Sequence, residues 1–263
     1  MMSPRSEASP RHGIARVISK LGVCSRTQAQ ALVRAGRVRV NGRLVRDPEE
    51  PTVAGRDRIS IDGADIGEAQ RVYLALNKPR GFVTTASDER GRRTVYELLG
   101  KLPDGMQALP WVAPVGRLDQ ASEGLLLFSN DSEWAARLTA PESHVDKIYH
   151  VQIGALVDAA LLAALRAGRI VDGELLRAKA VRGIRQGEKN SWLEIVLDEG
   201  RNRQIRRLFD AFDISVLRLI RVAVGTVELG ALAKGDWRRL SADEVAALSP
   251  TSQSAASSMS GGT

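Results

Sequence analysis

The chain has 263 residues, 43% of them apolar, 26% charged and 4% aromatic, with one cysteine, three histidines and a net charge of +7. That length allows one substantial core and a small accessory domain. A single cysteine, Cys24, excludes an internal disulfide, His12, His144 and His150 form no metal-ligand spacing with it, and no window holds the ~20 apolar residues of a membrane span. The opening MMSPRSEASPRHG lacks the apolar run of a secretion signal, so a cytoplasmic protein is expected.

Residues 1–60 hold twelve Arg or Lys against five Asp or Glu, and the remaining residues balance at 26 of each. The positive surplus is therefore N-terminal, the pattern of a polyanion-binding module attached to a neutral body.

In chain order, the polar residues 1–12 are expected to be disordered. Ile14 to Leu21 reads as a helix stopped by Gly22. Ser25 with Gln28 forms a capping box for a second helix reaching Ala35, stopped by Gly36. Arg37 to Val40 alternates with period two, Asn41-Gly42 signals a two-residue turn, and Arg43 to Arg46 returns. That register sets Arg37 opposite Arg46 and Arg39 opposite Leu44 on one face. Like charges so placed repel, which a phosphate backbone lying across them would relieve. Arg58 to Asp62 closes this unit, residues 13–62, and 63–71 reads as a linker.

The body, 72–248, carries β-rich runs at Val72–Leu76, Leu125–Ser129, Ile148–Ile153, Trp192–Leu197, Val216–Ala223 and Thr226–Leu229. Helical runs fall near 132–140, 158–167 and 202–212, and Ser241 with Glu244 caps a final helix. Strands do not alternate regularly with long helices. The expected class is α+β: a small helix-helix-hairpin domain, then a larger domain with a mainly antiparallel mixed sheet and flanking helices. The Ser/Gly-rich residues 249–263 read as a disordered tail.

Chemistry concentrates in the stretch from Pro114 to Asp131, where a polar loop presents Arg117, Asp119, Ser122 and Glu123 before the apolar strand Leu125–Phe128. The run Gly116-Arg117-Leu118-Asp119, followed by Ser122 and Gly124-Leu125, resembles the signature of the pseudouridine synthases. Asn77-Lys78-Pro79-Arg80-Gly81, Lys147-Ile148-Tyr149 and Glu199-Gly200-Arg201-Asn202-Arg203-Gln204-Ile205-Arg206-Arg207-Leu208 resemble further motifs of its RsuA-type branch, in the required order. Residues 13–60 are similar to the alpha-L RNA-binding domain, a usual accessory of that branch.

The resemblance implies isomerisation of a uridine in ribosomal RNA, without cofactor or metal, by a protein expected to be a monomer. It assigns Asp119 as nucleophile, Tyr149 to the extruded uracil, and Arg117, Lys78 and Arg203 to the substrate. Arg16, Lys20, Arg26, Arg37, Arg39 and Arg46 are the expected RNA-binding set. A guanidinium beside Asp119 would favour its ionised form. Arg206, bordering the buried stripe Ile205, Leu208, Phe209 and Phe212, is the candidate, although periodicity leaves open which arginine pairs with it. Arg201, Arg203 and Arg207 are expected to meet phosphate or solvent. Arg201-Asn202-Arg203-Gln204 resembles members of the family that act on large-subunit RNA more than those that act on small-subunit RNA, which implies the former as the target. Small-subunit RNA, a non-catalytic assembly factor and a glycosidase using Asp119 with Glu123 are the alternatives.

Overall fold

In a computed structural model of the chain, residues 10–67, 69–100 and 109–248 are described. The expectations for 1–9 and 249–263 lie outside them. The chain divides into two compact units. The first holds the described residues up to Val72, with 109–113 and Phe128–Ser132; the second holds those from Tyr73 to 100, Pro114–Leu127 and Glu133 onward.

In the first unit, helix Ile14–Lys20 buries Ile14, Ala15, Val17 and Ile18, the apolar positions its periodicity predicts. Helix Arg26–Arg34 starts on the Ser25–Gln28 capping box, with both reciprocal hydrogen bonds formed. These helices share a core with Val38, Val40, Val45 and Ile59 of an antiparallel sheet ordered Arg43–Val45, Val38–Val40, Ile59–Ile61, Ala64–Ile66. Cys24 packs against this core, and burial pushes its thiol up.

Three expectations change here. Residues 64–66 are a strand, not linker: Asp62 (φ 53°) and Gly63 (φ 84°) form a positive-φ turn, a second hairpin signal beside Asn41-Gly42. His12–Gly13 pairs with Pro51–Thr52, so order begins before residue 13. Arg39 does lie opposite Leu44, but Arg37 donates Nε to Asp62 Oδ1 at 2.9 Å. Its charge is countered within the protein, and the repulsion argument for phosphate loses that member.

The second unit is built on a sheet of nine strands among the described residues. Its main order is Ala180–Gln186, Ser191–Leu197, Lys147–Ile153, Val216–Val224, Glu123–Ser129, Tyr73–Lys78, Trp237–Arg239, with Ala113–Val115 and Val227–Glu228 attached. Most pairings are antiparallel, while Val216–Val224 runs parallel to Glu123–Ser129 through Ile220–Glu123 and Arg221–Gly124. The α+β class with a mainly antiparallel mixed sheet stands as predicted.

One core joins Val151, Ile153, Leu193 and Ile195 to Leu165 and to Ile205, Leu208 and Phe209 of helix Gln204–Asp210. Another packs Trp134 and Leu138 on Leu125, Leu127 and Val224, with Tyr73 edge-on to Trp134 at 4.9 Å. No helix among the described residues is long and apolar enough to cross a membrane.

Candidate active site

The loop between Gly116 and strand Glu123–Ser129 holds Asp119, and its backbone is pinned from several sides. Five successive carbonyls accept hydrogen bonds: Leu118 from Thr84 Oγ1 (2.7 Å), Asp119 from Lys78 Nζ (3.1 Å), Gln120 from Gly81 N (2.8 Å), Ala121 from Arg206 Nη2 (3.2 Å) and Ser122 from Lys78 Nζ (2.8 Å). The Asp119 side chain remains one third exposed. Loop carbonyls so occupied leave little backbone freedom, and the carboxylate sits on a fixed platform.

Lys78 was expected on the substrate. Instead it is fully buried, with its ammonium beneath the loop, also donating to Pro79 O at 3.2 Å. Burial lowers its pKa to about 8 against the opposing pull of Asp119 and Glu123. It is a strut, out of a ligand's reach. Lys78→Met should leave the Ser122 carbonyl without its donor and destabilise the fold by about 1–3 kcal/mol in urea titrations. The unfolded chain binds more protons here than the folded one between about pH 8 and the ordinary lysine value. Wild type should therefore gain stability over Lys78→Met as pH rises through that window; a pH-independent difference would contradict this account.

The guanidinium in ion-pair range of Asp119 belongs to Arg203, whose Nη1 lies 3.7 Å from Oδ2. Arg203 precedes helix Gln204–Asp210 in the left-handed region, φ 48° and ψ 30°, an uncommon conformation for a residue with a Cβ. Arg206, the sequence candidate, lies just behind. It donates to the carbonyls of Val216 (3.1 Å) and Ala121, and its buried Nε finds no partner. Burial first, then the cations Arg203 and Arg80, hold the Arg206 guanidinium below its ordinary value, with Asp119 opposing. Periodicity placed Arg206 inward correctly but could not foresee that Arg203 itself takes the left-handed conformation and lies in ion-pair range of the carboxylate.

Asp119 and Gln120 border two cavities. One is also lined by Thr84, Thr85, Arg90 and Arg117, the other by Arg80, Gly81, Ala121 and Arg203. Arg80 lies in a motif the sequence exposed, yet nothing there marked its side chain as different from any solvated arginine. Tyr149 is half-buried against the core of Val151 and Ile195, in register with Arg221 on the neighbouring strand.

Other candidates are committed elsewhere. Arg207 pairs with Asp172 and Glu174, and Arg201 with Glu199. Glu123 is buried, accepting from Arg218 Nε and Nη2 at 3.0 Å each and from Lys234 Nζ at 2.7 Å. Burial pushes its carboxyl up, but those cations outweigh this and hold it lowered, which leaves no proton for a glycosidase acid. Among the described residues, no group of three or more His, Cys, Asp or Glu could hold a metal ion.

In the first unit Arg16, Arg39 and Arg46 are exposed and Lys20 is half-buried. Arg39 donates to Gly42 O, and Arg26 pairs with Glu49 at 3.4 Å.

A family model described as RNA pseudouridylate synthase matches residues 72–211, which include the pinned loop and the arginine helix. The chain belongs to this family. A second model, the S4 domain, matches residues 13–54. The ribosomal large subunit pseudouridine synthase B of Bacillus subtilis is 35% identical over 232 residues, covering 88% of this chain and 92% of the relative. An RNA pseudouridine synthase of Aquifex aeolicus is 35% identical over 236 residues, 89% and 92% of the two chains. A solved pseudouridylate synthase is 28% identical with a TM-score of 0.60, covering 91% of this chain and all of that one. The chain is thus an RNA pseudouridine synthase of the RsuA type, an isomerase with an N-terminal RNA-binding domain.

Proposed function

We propose that the protein converts a uridine of large-subunit ribosomal RNA to pseudouridine, with Asp119 as nucleophile. The observation that carries this reading is the Asp119 carboxylate, one third exposed and bordering two cavities, on a loop in which five successive carbonyls, 118–122, are bonded. The reaction breaks the N1–C1′ glycosidic bond and forms a C5–C1′ bond to the same base. N1 gains a proton and C5 loses one, so atoms and electrons balance within the nucleotide. A carboxylate can attack C1′ or stabilise its developing positive charge, dividing a difficult step in two.

The uridine must leave its stack before C1′ comes within reach. Arg117 borders one cavity, where it can hold the extruded geometry. Tyr149 supplies a face for the uracil and a phenol near its C5. Arg203 and Arg206 keep positive charge beside the carboxylate. Large-subunit RNA is favoured by the Arg201-Asn202-Arg203-Gln204 sequence and by the name of the Bacillus subtilis relative. Mapping pseudouridine at nucleotide resolution, in ribosomal RNA from cells with and without the protein, tests this. One large-subunit site should disappear, and loss of a small-subunit site alone would overturn the assignment.

For the N-terminal domain, Arg39 and Arg46 are the exposed cations of the hairpin set without a carboxylate partner among the described residues. Replacing both by alanine should weaken RNA binding and flatten the dependence of log K on log salt by about 1.4, at roughly 0.7 per phosphate contact on single strands. Titrations across a salt series would read this, and an unchanged slope would remove the hairpin from the RNA interface.

A further inference from the structure

We propose that Arg80 and Arg203 form a clamp for a phosphate flanking the target nucleotide, in the cavity beside Asp119 that Arg117 does not line. This rests on the reading of Asp119 as nucleophile and adds a substrate contact to it. The two guanidiniums line one cavity with Asp119, Gly81, Gln120 and Ala121.

Arg80 and Arg203 line one cavity with the Asp119 carboxylate, and the Arg206 guanidinium feels both of them as well as Asp119. Arg203 meets that carboxylate at 3.7 Å, longer than a tight charge-assisted hydrogen bond. Arg206 gives its terminal nitrogens to two carbonyls. Arg80 is exposed and has no hydrogen bond or ion pair among the described residues. The cavity therefore holds a surplus of positive charge, and mutual repulsion is relieved when an anion enters.

The turn after Arg80 is fixed to the nucleophile loop, because Gly81 N donates to Gln120 O at 2.8 Å and Gln120 Nε2 donates to Gly81 O at 3.2 Å. Gly81 has φ +97°, and a Cβ built on it would meet nothing within 4 Å, so the space beside Gly81, which lines the cavity, is open. Arg80 is thus held one residue from a double hydrogen-bonded link between Gly81 and Gln120, one backbone and one from the Gln120 amide, and is itself exposed.

A carboxylate positioned on C1′ has the phosphates on C3′ and C5′ of the same ribose within one sugar's width. Guanidinium groups recognise phosphate oxygens bidentately, and two of them can share one phosphate. The contact fixes the ribose while the base detaches and turns, which a contact to the base could not do.

The test uses the full-length enzyme and an RNA hairpin carrying the mapped uridine. In parallel substrates, the phosphate on either side of that uridine is replaced by a neutral methylphosphonate. Wild-type kcat/KM should fall roughly 10- to 100-fold for one of the two replacements. Arg80→Ala should fall by a similar factor on unmodified RNA and then be indifferent to that replacement, and Arg80→Lys should recover part of the loss. Additive losses at both phosphates, or unchanged kcat/KM in Arg80→Ala, would overturn the clamp. These outcomes stay separate from the nucleophile question: Asp119→Asn inactive with Arg80 and phosphate additive sinks the clamp alone, while an active Asp119→Asn sinks the reading beneath it.

Discussion

Asp119→Asn is expected to lose uridine conversion by about 10³-fold or more while binding substrate RNA within a few-fold of wild type. Asparagine keeps the shape and much of the hydrogen bonding of aspartate but offers neither the charge nor the nucleophilic oxygen that C1′ requires. The backbone is expected to stay in place, because the bonds holding residues 118–122 come from Lys78, Gly81, Thr84 and Arg206 and do not involve the replaced carboxylate. Single-turnover assays on mapped RNA, with a filter-binding measurement beside them, separate the two effects. Conversion at more than a tenth of the wild-type rate would end the assignment, and a parallel collapse of binding would show that Asp119 shapes the site instead of reacting in it.

Gly124→Ala should be the most damaging small change in the fold. A Cβ there would lie 2.2 Å from Arg221 O and 2.8 Å from Arg221 N, both backbone atoms, and Gly124 has φ +99°. No rotamer relieves a clash with main chain, so the parallel contact between Glu123–Ser129 and Val216–Val224 must open. Strain at the residue and separation of the strands together should cost about 3–5 kcal/mol, a large share of an ordinary domain's 5–15 kcal/mol. The same opening would pull Arg221 Nε from Leu125 O, now 2.7 Å away, and disturb Glu123 between Arg218 and Lys234. Urea denaturation with a parallel activity assay measures this. A loss below 1 kcal/mol would show that the strands separate freely.

Sequence legibility followed the strength of local signals. The Ser25–Gln28 box, the Asn41-Gly42 turn and the Ile205–Phe209 stripe each state their structure within a few residues, and each formed as expected. Strand Ala180–Gln186 did not announce itself. It lies at the sheet edge, carries Gly183, and exposes all but Val181, so alternation never develops. Trp237–Arg239 has a single apolar residue and is held by pairing with Tyr73–Lys78. At the site, the motifs gave the loop and the helix but not who faces whom. Lys78 reads as a substrate contact, whereas the loop covers it, and Arg203 comes within ion-pair range of Asp119 from a left-handed backbone angle that periodicity does not show.

That angle has a consequence for anyone engineering this enzyme. Arginine in the left-handed region at position 203 is about 1 kcal/mol less comfortable than glycine would be. A screen for heat tolerance that scored melting temperature alone would favour Arg203→Gly. The winners would be sturdier proteins without the cation nearest the carboxylate, so selection for robustness at this position has to be counter-screened on turnover.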